Sequence, residues 1–276
     1  MDKEKINSNK KVVIFIVILL ILVLVVYFLT DNEKDIVVMK NVDMLDLGIE
    51  AKYDVITEKI NYFENVNGFL AKPSQPGSYS GIIMIHEWWG LNDNIMEMAK
   101  QLAAQGYIVL AVDLYDGQVA TTPDKARELV TSLNQEKAIN NMKAAKNYLK
   151  ENQNADKIAS LGWCFGGGQS LQITLNSDDI DATVIYYGNL VTNESELSKI
   201  ENPVLGIFGS EDTSIPVATI NEFDSALDKL NIENEVYIYD GVGHAFANPS
   251  GMNYAPKETN DAWIKTVSFL EKNLKD

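Results

Sequence analysis

Leu161-Gly162-Trp163-Cys164-Phe165-Gly166-Gly167-Gly168 decides how the rest of this chain is read. It follows Lys157-Ile158-Ala159-Ser160, an apolar-leaning run that reads as a strand. It precedes Gln169 to Leu175, which reads as the start of a helix. Strand, Gly-x-Cys-x-Gly, then helix is the nucleophile-elbow pattern with cysteine at the nucleophile's place. The turn lifts the side chain off the sheet, and strand and helix crowd on either side. The positions two before and two after therefore have to lack a Cβ. The helix aims its N-terminal N–H groups and positive dipole end at Cys164, which favours a thiolate and later an oxyanion. A buried, inert cysteine would need neither the glycines nor their spacing.

The flanking sequence supplies a sheet for this elbow. Gly81 to Ile85, Tyr107 to Val112, Ala182 to Tyr187 and Val204 to Phe208 are continuous apolar runs, the mark of strands covered on both faces. Glu235 to Tyr239 reads as another strand. Between them, Asp93 to Gln105, Pro123 to Glu151 (broken near Asn134) and Val217 to Leu230 have helical spacing, and Pro256 to Leu274 closes the chain as a helix. Ile56 to Phe63 and Gly68 to Ala71 read as a hairpin turning at Asn65-Val66-Asn67-Gly68. This alternation predicts an α/β fold, a mostly parallel, doubly wound sheet with helices on both faces. One catalytic domain is expected over residues 52–276.

Ahead of it the composition changes. Val12 to Leu29 is 18 uncharged residues, apolar all round, and as a helix would span about 27 Å. Lys3, Lys5, Lys10 and Lys11 precede it, and Asp31, Glu33 and Asp35 follow. The expectation is a basic cytoplasmic tail (1–11), a single transmembrane anchor (12–29), an acidic tether (30–51) and an extracytoplasmic domain. The apolar run exceeds a signal-peptide core and lacks a small-x-small cleavage site.

Composition bounds the chemistry. Lys and Arg total 23 against 39 Asp and Glu, a formal charge of -16, so nucleic acid is a poor partner. One Cys excludes an internal disulfide and CxxC metal sites. With His86 and His244 the only histidines, a multi-histidine metal centre is not expected, and no cofactor is implied.

Ligands of doubly wound sheets sit beyond the carboxyl ends of the strands. There the sequence places His86-Glu87-Trp88-Trp89-Gly90, Gly209-Ser210-Glu211-Asp212 and Asp240-Gly241-Val242-Gly243-His244. Cys164, Asp212 and His244 follow the chain order nucleophile, acid, histidine. His244 would take the thiol proton and later protonate the leaving group; Asp212, with Glu211 as its rival, would fix the imidazole. The backbone N–H groups of Phe165 and Trp88 are the expected oxyanion donors.

Gly-x-Cys-x-Gly-Gly, His-Glu-x-x-Gly, Asp-Leu-Tyr, Glu-Asp and Gly-x-x-His-x-Phe together resemble the dienelactone hydrolase (carboxymethylenebutenolidase) family, an α/β-hydrolase subgroup with a cysteine nucleophile. The resemblance runs from about Lys59 to Leu274. It implies that Glu87 acts on the resting thiol and that Trp88 gives the second oxyanion N–H. It also implies two arginines gripping a substrate carboxylate, but this chain has Gly117 and Asn248 at the matching places. Neither replaces a bidentate guanidinium. A dienelactone is therefore expected to be a poor substrate. Trp89, Tyr115, Trp163, Phe246 and Asn248 are the expected pocket residues for another small-molecule ester, lactone or thioester. A non-catalytic binding protein on the same fold, or a redox-active thiol, are the competing readings.

Overall fold

The computed structural model describes residues 37–39 and 47–275. Nine strands among them form one sheet in the order β1-β2-β3-β5-β4-β6-β7-β8-β9. The strands are β1 (Val37–Met39), β2 (Val55–Phe63), β3 (Val66–Pro73), β4 (Gly81–Ile85), β5 (Ile108–Val112), β6 (Ile158–Trp163), β7 (Ala182–Tyr186), β8 (Val204–Gly209) and β9 (Asn234–Tyr239). From β5 to β9 every pair is parallel, while β1, β2, β3 and β5 pair antiparallel. This is the expected fold, extended at one edge by an antiparallel flap.

Alternation along the buried strands explains why they are apolar at every position. Ile82 and Met84 join the core shared with α1 (Asp93–Ala104) and the closing helix α7 (Pro256–Leu274). Ile83 and Ile85 join the opposite core, with α2 (Pro123–Thr131) and α3 (Gln135–Gln153). The elbow helix α4 (Phe165–Asn176) shares a third cluster with α6 (Val217–Lys229), and the short α5 (Glu194–Leu197) packs there too. A buried Ile or Leu contributes roughly 1.5–3 kcal/mol, so each central strand is clamped from both faces. Hydroxyls pin α4 to the sheet: Ser170 Oγ donates to Ser160 Oγ at 2.9 Å, and Thr174 Oγ1 lies 2.6 Å from Thr183 Oγ1.

Three expectations are corrected. The β2–β3 turn is Glu64-Asn65, since Val66 pairs with Phe63 and Gly68 with Ile60 inside the ladder; Glu64 takes the left-handed φ of 46° that the tight turn requires. The helix after the elbow begins at Phe165 and runs through all three glycines. At Gly166 and Gly167 a Cβ would lie 2.3 and 2.6 Å from neighbouring backbone, so glycine is needed there despite its low helix propensity. Residues read as tether also belong to the body: Val37–Met39 adds to the sheet beside β2, and Leu47 is buried. The break near Asn134 is present, its side chain capping α3 by accepting from Lys137 N–H at 2.9 Å. Among the described residues no helix is long and apolar enough to cross a membrane, and Val12–Leu29 lies outside them.

Candidate active site

The chain leaves β4 toward β5 on one side and then places β6 on β4's other side. The sheet's winding direction reverses there, so a crevice opens beyond the carboxyl ends of β4 and β6. Glu87 and Trp88 follow β4, and Cys164 follows β6. Cys164 adopts φ 54° and ψ -118°, a costly conformation for a residue with a Cβ. It is held by its own N–H donating to Tyr186 O at 3.0 Å and by Gly168 N–H donating to its carbonyl at 3.2 Å.

The remaining two partners come from β8 and β9. His244 Nε2 lies 3.0 Å from Cys164 Sγ, and His244 Nδ1 lies 2.7 Å from Asp212 Oδ2. Asp212 is buried, and its other oxygen accepts from Ser214 N–H at 2.8 Å and Ile215 N–H at 3.1 Å. Both oxygens are thus committed and the carboxylate cannot rotate. Burial pushes its pKa up, but these hydrogen bonds and the His244 charge outweigh that and leave it below the ordinary value. For His244, burial favours the neutral ring; the bonds to Asp212 and Cys164 win and hold its pKa up at about 10. Glu211, the rival acid, is exposed and makes no contact of this kind among the described residues.

Glu87 is buried, and Asn248 Nδ2 donates to its Oε2 in a short hydrogen bond. The amide's orientation is fixed because Asn248 Oδ1 accepts from Ser250 N–H at 2.9 Å and Ser250 Oγ at 2.8 Å. Asn248, read from sequence as a missing arginine, is therefore the donor that positions Glu87. No local signal shows this, since the two residues are 161 positions apart. Burial raises the Glu87 pKa to about 7, despite opposing contributions from His244 and Asn248.

That shift has a sign. The folded chain holds a proton on Glu87 between its ordinary value of 4.5 and about 7, where the unfolded chain has lost it. Glu87's contribution to stability should fall as pH rises through that window and level off above it, by at most about 3 kcal/mol. Glu87→Gln is expected to flatten this slope and to be the more stable protein at pH 8. Denaturant unfolding at pH 5 and pH 8 checks it.

The other expected residues separate. Phe165 is the first residue of α4, so helical bonding leaves its N–H unused. Trp88 lies inside a turn closed by Gly90 N–H donating to Glu87 O at 3.2 Å, and its ring meets Trp89 edge-on, centroids 4.9 Å apart. Both are half-buried at the crevice. Tyr115 packs between His86 and Phe165, at 4.7 and 5.6 Å. Trp163 and Phe246 were expected to line a pocket, but both are core residues. Trp163 points onto Tyr186, and Phe246 is enclosed by Tyr187 and Tyr239. His86 is fully buried and joins two loops: Nδ1 lies 2.6 Å from Glu87 O, and Nε2 accepts from Leu114 N–H at 3.1 Å. Burial lowers its pKa. It is a neutral brace under the crevice.

Comparison with known proteins agrees with this architecture. Residues 66–274 match the model of the dienelactone hydrolase family. Protein usf of Aquifex pyrophilus is 32% identical over 219 residues, covering 76% of this chain and 94% of that one. A Saccharolobus solfataricus protein provisionally named a carboxymethylenebutenolidase is 29% identical over 245 residues, covering 75% and 94%. Two crystal structures share the fold at TM-score 0.73. One is a provisionally assigned dienelactone hydrolase from Klebsiella pneumoniae (23% identity, 79% of this chain, 99% of that one). The other is a dienelactone hydrolase-like promiscuous phosphotriesterase from metagenomic libraries (20%, 79% and 98%). With the family's model matched across nearly the whole described body, on an α/β-hydrolase sheet, the chain belongs to the dienelactone hydrolase family and is a hydrolase of the carboxylic-ester type.

Proposed function

We propose that this chain cleaves an ester, lactone or thioester through a covalent acyl-Cys164 intermediate. The observation that carries the reading is the unbroken line Asp212, His244, Cys164, with gaps of 2.7 and 3.0 Å. His244 holds the proton taken from the thiol while Sγ attacks the substrate carbonyl carbon. The resulting oxyanion accepts from Phe165 and Trp88 N–H. The C–O or C–S bond to the leaving group breaks, and His244 returns the proton to the departing atom. Water then attacks the acyl carbon with His244 as base, the Sγ–C bond breaks, and the thiol is restored.

Asn248 sets the substrate class. A neutral amide already engaged by Glu87 and Ser250 cannot grip a carboxylate as a guanidinium does. The substrate is accordingly an uncharged ester or lactone rather than a dienelactone. In the same reading Val12 to Leu29 anchors the chain in a lipid bilayer with the hydrolase outside the cytoplasm; intact-mass measurement of detergent-extracted protein tests whether the anchor is retained. The central proposal is tested by treating the protein with a neutral activated ester and mapping the adduct by peptide mass. Acyl mass on Cys164 supports it, and acylation elsewhere with Cys164 free overturns it.

Asp212 offers a separate check through pH. The imidazolium must survive to protonate the leaving group, so kcat/KM should decline above about pH 10, where His244 loses its proton. In Asp212→Asn burial still favours the neutral ring, but the charged hydrogen bond opposing it is gone. The alkaline limb is expected to move to lower pH, and the plateau rate to fall by about 10²–10⁴-fold. A pH–rate profile of the two proteins reads both effects.

A further inference from the structure

Tyr115 stands just past β5, in the loop that Asp113 folds by accepting from Tyr115 N–H at 2.9 Å and from Gly117 N–H. The residue is 4% exposed, and its hydroxyl has no hydrogen-bond partner among the described residues. A buried hydroxyl without a partner carries a desolvation cost of about 1–3 kcal/mol, and nothing about packing requires it, because phenylalanine would fill the same space. The ring is wedged against Phe165 and His86. One neighbour carries a proposed oxyanion N–H itself, and the other leads two residues on to Trp88, which carries the second.

We infer that the Tyr115 hydroxyl is a third donor to the oxyanion, its partner supplied by the substrate's carbonyl oxygen as Cys164 adds to it. This deepens the acyl-cysteine reading and rests on it. The chemistry of the surroundings suits a donor. Burial comes first, and the negative charges of Cys164 and Asp113 add to it, in keeping the phenol protonated through the working pH range. The O–H is then free to donate when negative charge passes from sulfur to the carbonyl oxygen.

Tyr115→Phe keeps the ring and removes the O–H. Two reactions of Cys164 are compared in wild type and variant: acylation by p-nitrophenyl butyrate, which forms an oxyanion, and alkylation by iodoacetamide, which does not. The expected result is a fall in acylation rate of about 10–100-fold with KM and alkylation unchanged, and a melting temperature equal or higher. Unchanged acylation overturns the inference. So does an equal fall in both reactions, which would place the hydroxyl's action on the sulfur, and so does a loss of both with a lowered melting temperature, which would make the residue structural. If wild-type protein acquires no acyl group on Cys164 at all, the acyl-cysteine reading falls first, and the mass spectrum distinguishes that failure from the others.

Discussion

Cys164→Ala is expected to remove ester hydrolysis by about 10³–10⁶-fold in kcat, and His244→Ala to do nearly the same. The double variant should be no worse than the poorer single one. Groups that act as a unit lose the whole of their effect when either member goes, so the two free energies do not add. The 3.0 Å contact between Nε2 and Sγ is what makes them one unit. Folding should hardly notice. Cys164 is half-buried, makes no side-chain cap to its helix, and its backbone bonds to Tyr186 and Gly168 survive truncation at Cβ. Melting temperatures within a few degrees of wild type, with turnover lost, separate a chemical role from a structural one. Hydrolysis that persists in Cys164→Ala would place the nucleophile elsewhere, and a wild type that turns over no ester would return the chain to the binding-protein reading.

Much of this site is legible in the sequence because the constraints on it are local. An elbow demands glycine at fixed offsets, and parallel strands demand apolar residues at every position. Both are local constraints that leave local marks, at Gly162 and Gly166 and along Gly81–Ile85. Asp212 and His244 were found by asking what stands after each strand, which is topology read through sequence. Contacts between distant loops left no such mark. The Asn248 amide holds Glu87 across the fold, and sequence alone showed only that an arginine was missing. Aromatic residues misled in the same way. Phe246 lies two residues from His244, yet faces the core, because Ala245 between them turns the chain through φ 60°. His86 carries no signal that separates a brace from a base. Its burial, and the fact that both ring nitrogens are occupied, decide the matter.

Gly166→Ala is expected to be strongly destabilising. A Cβ built there would lie 2.3 Å from Ile85 O and 2.5 Å from His86 O. Both are backbone atoms at the carboxyl end of β4, so no side chain can swing aside. Relief requires pushing α4 off the sheet or dragging the Glu87–Trp88 loop outward. The first breaks the Ser160–Ser170 and Thr174–Thr183 contacts that hold the helix; the second moves a proposed oxyanion donor. Overpacking usually costs about 1–3 kcal/mol, and contact with immovable backbone belongs at or beyond the top of that range. Gly168→Ala is the control two positions on. Its nearest neighbours, all of Asn189, lie at 3.4–3.6 Å, and alanine gains roughly 0.8–1 kcal/mol of helix propensity over glycine. Denaturant unfolding should therefore show a large loss for Gly166→Ala and no loss for Gly168→Ala, in the same helix. Comparable stability in the two variants would mean that α4 does not press on β4 as described. The close approach that aims the N-terminus of α4 at Cys164 would then have to be given up.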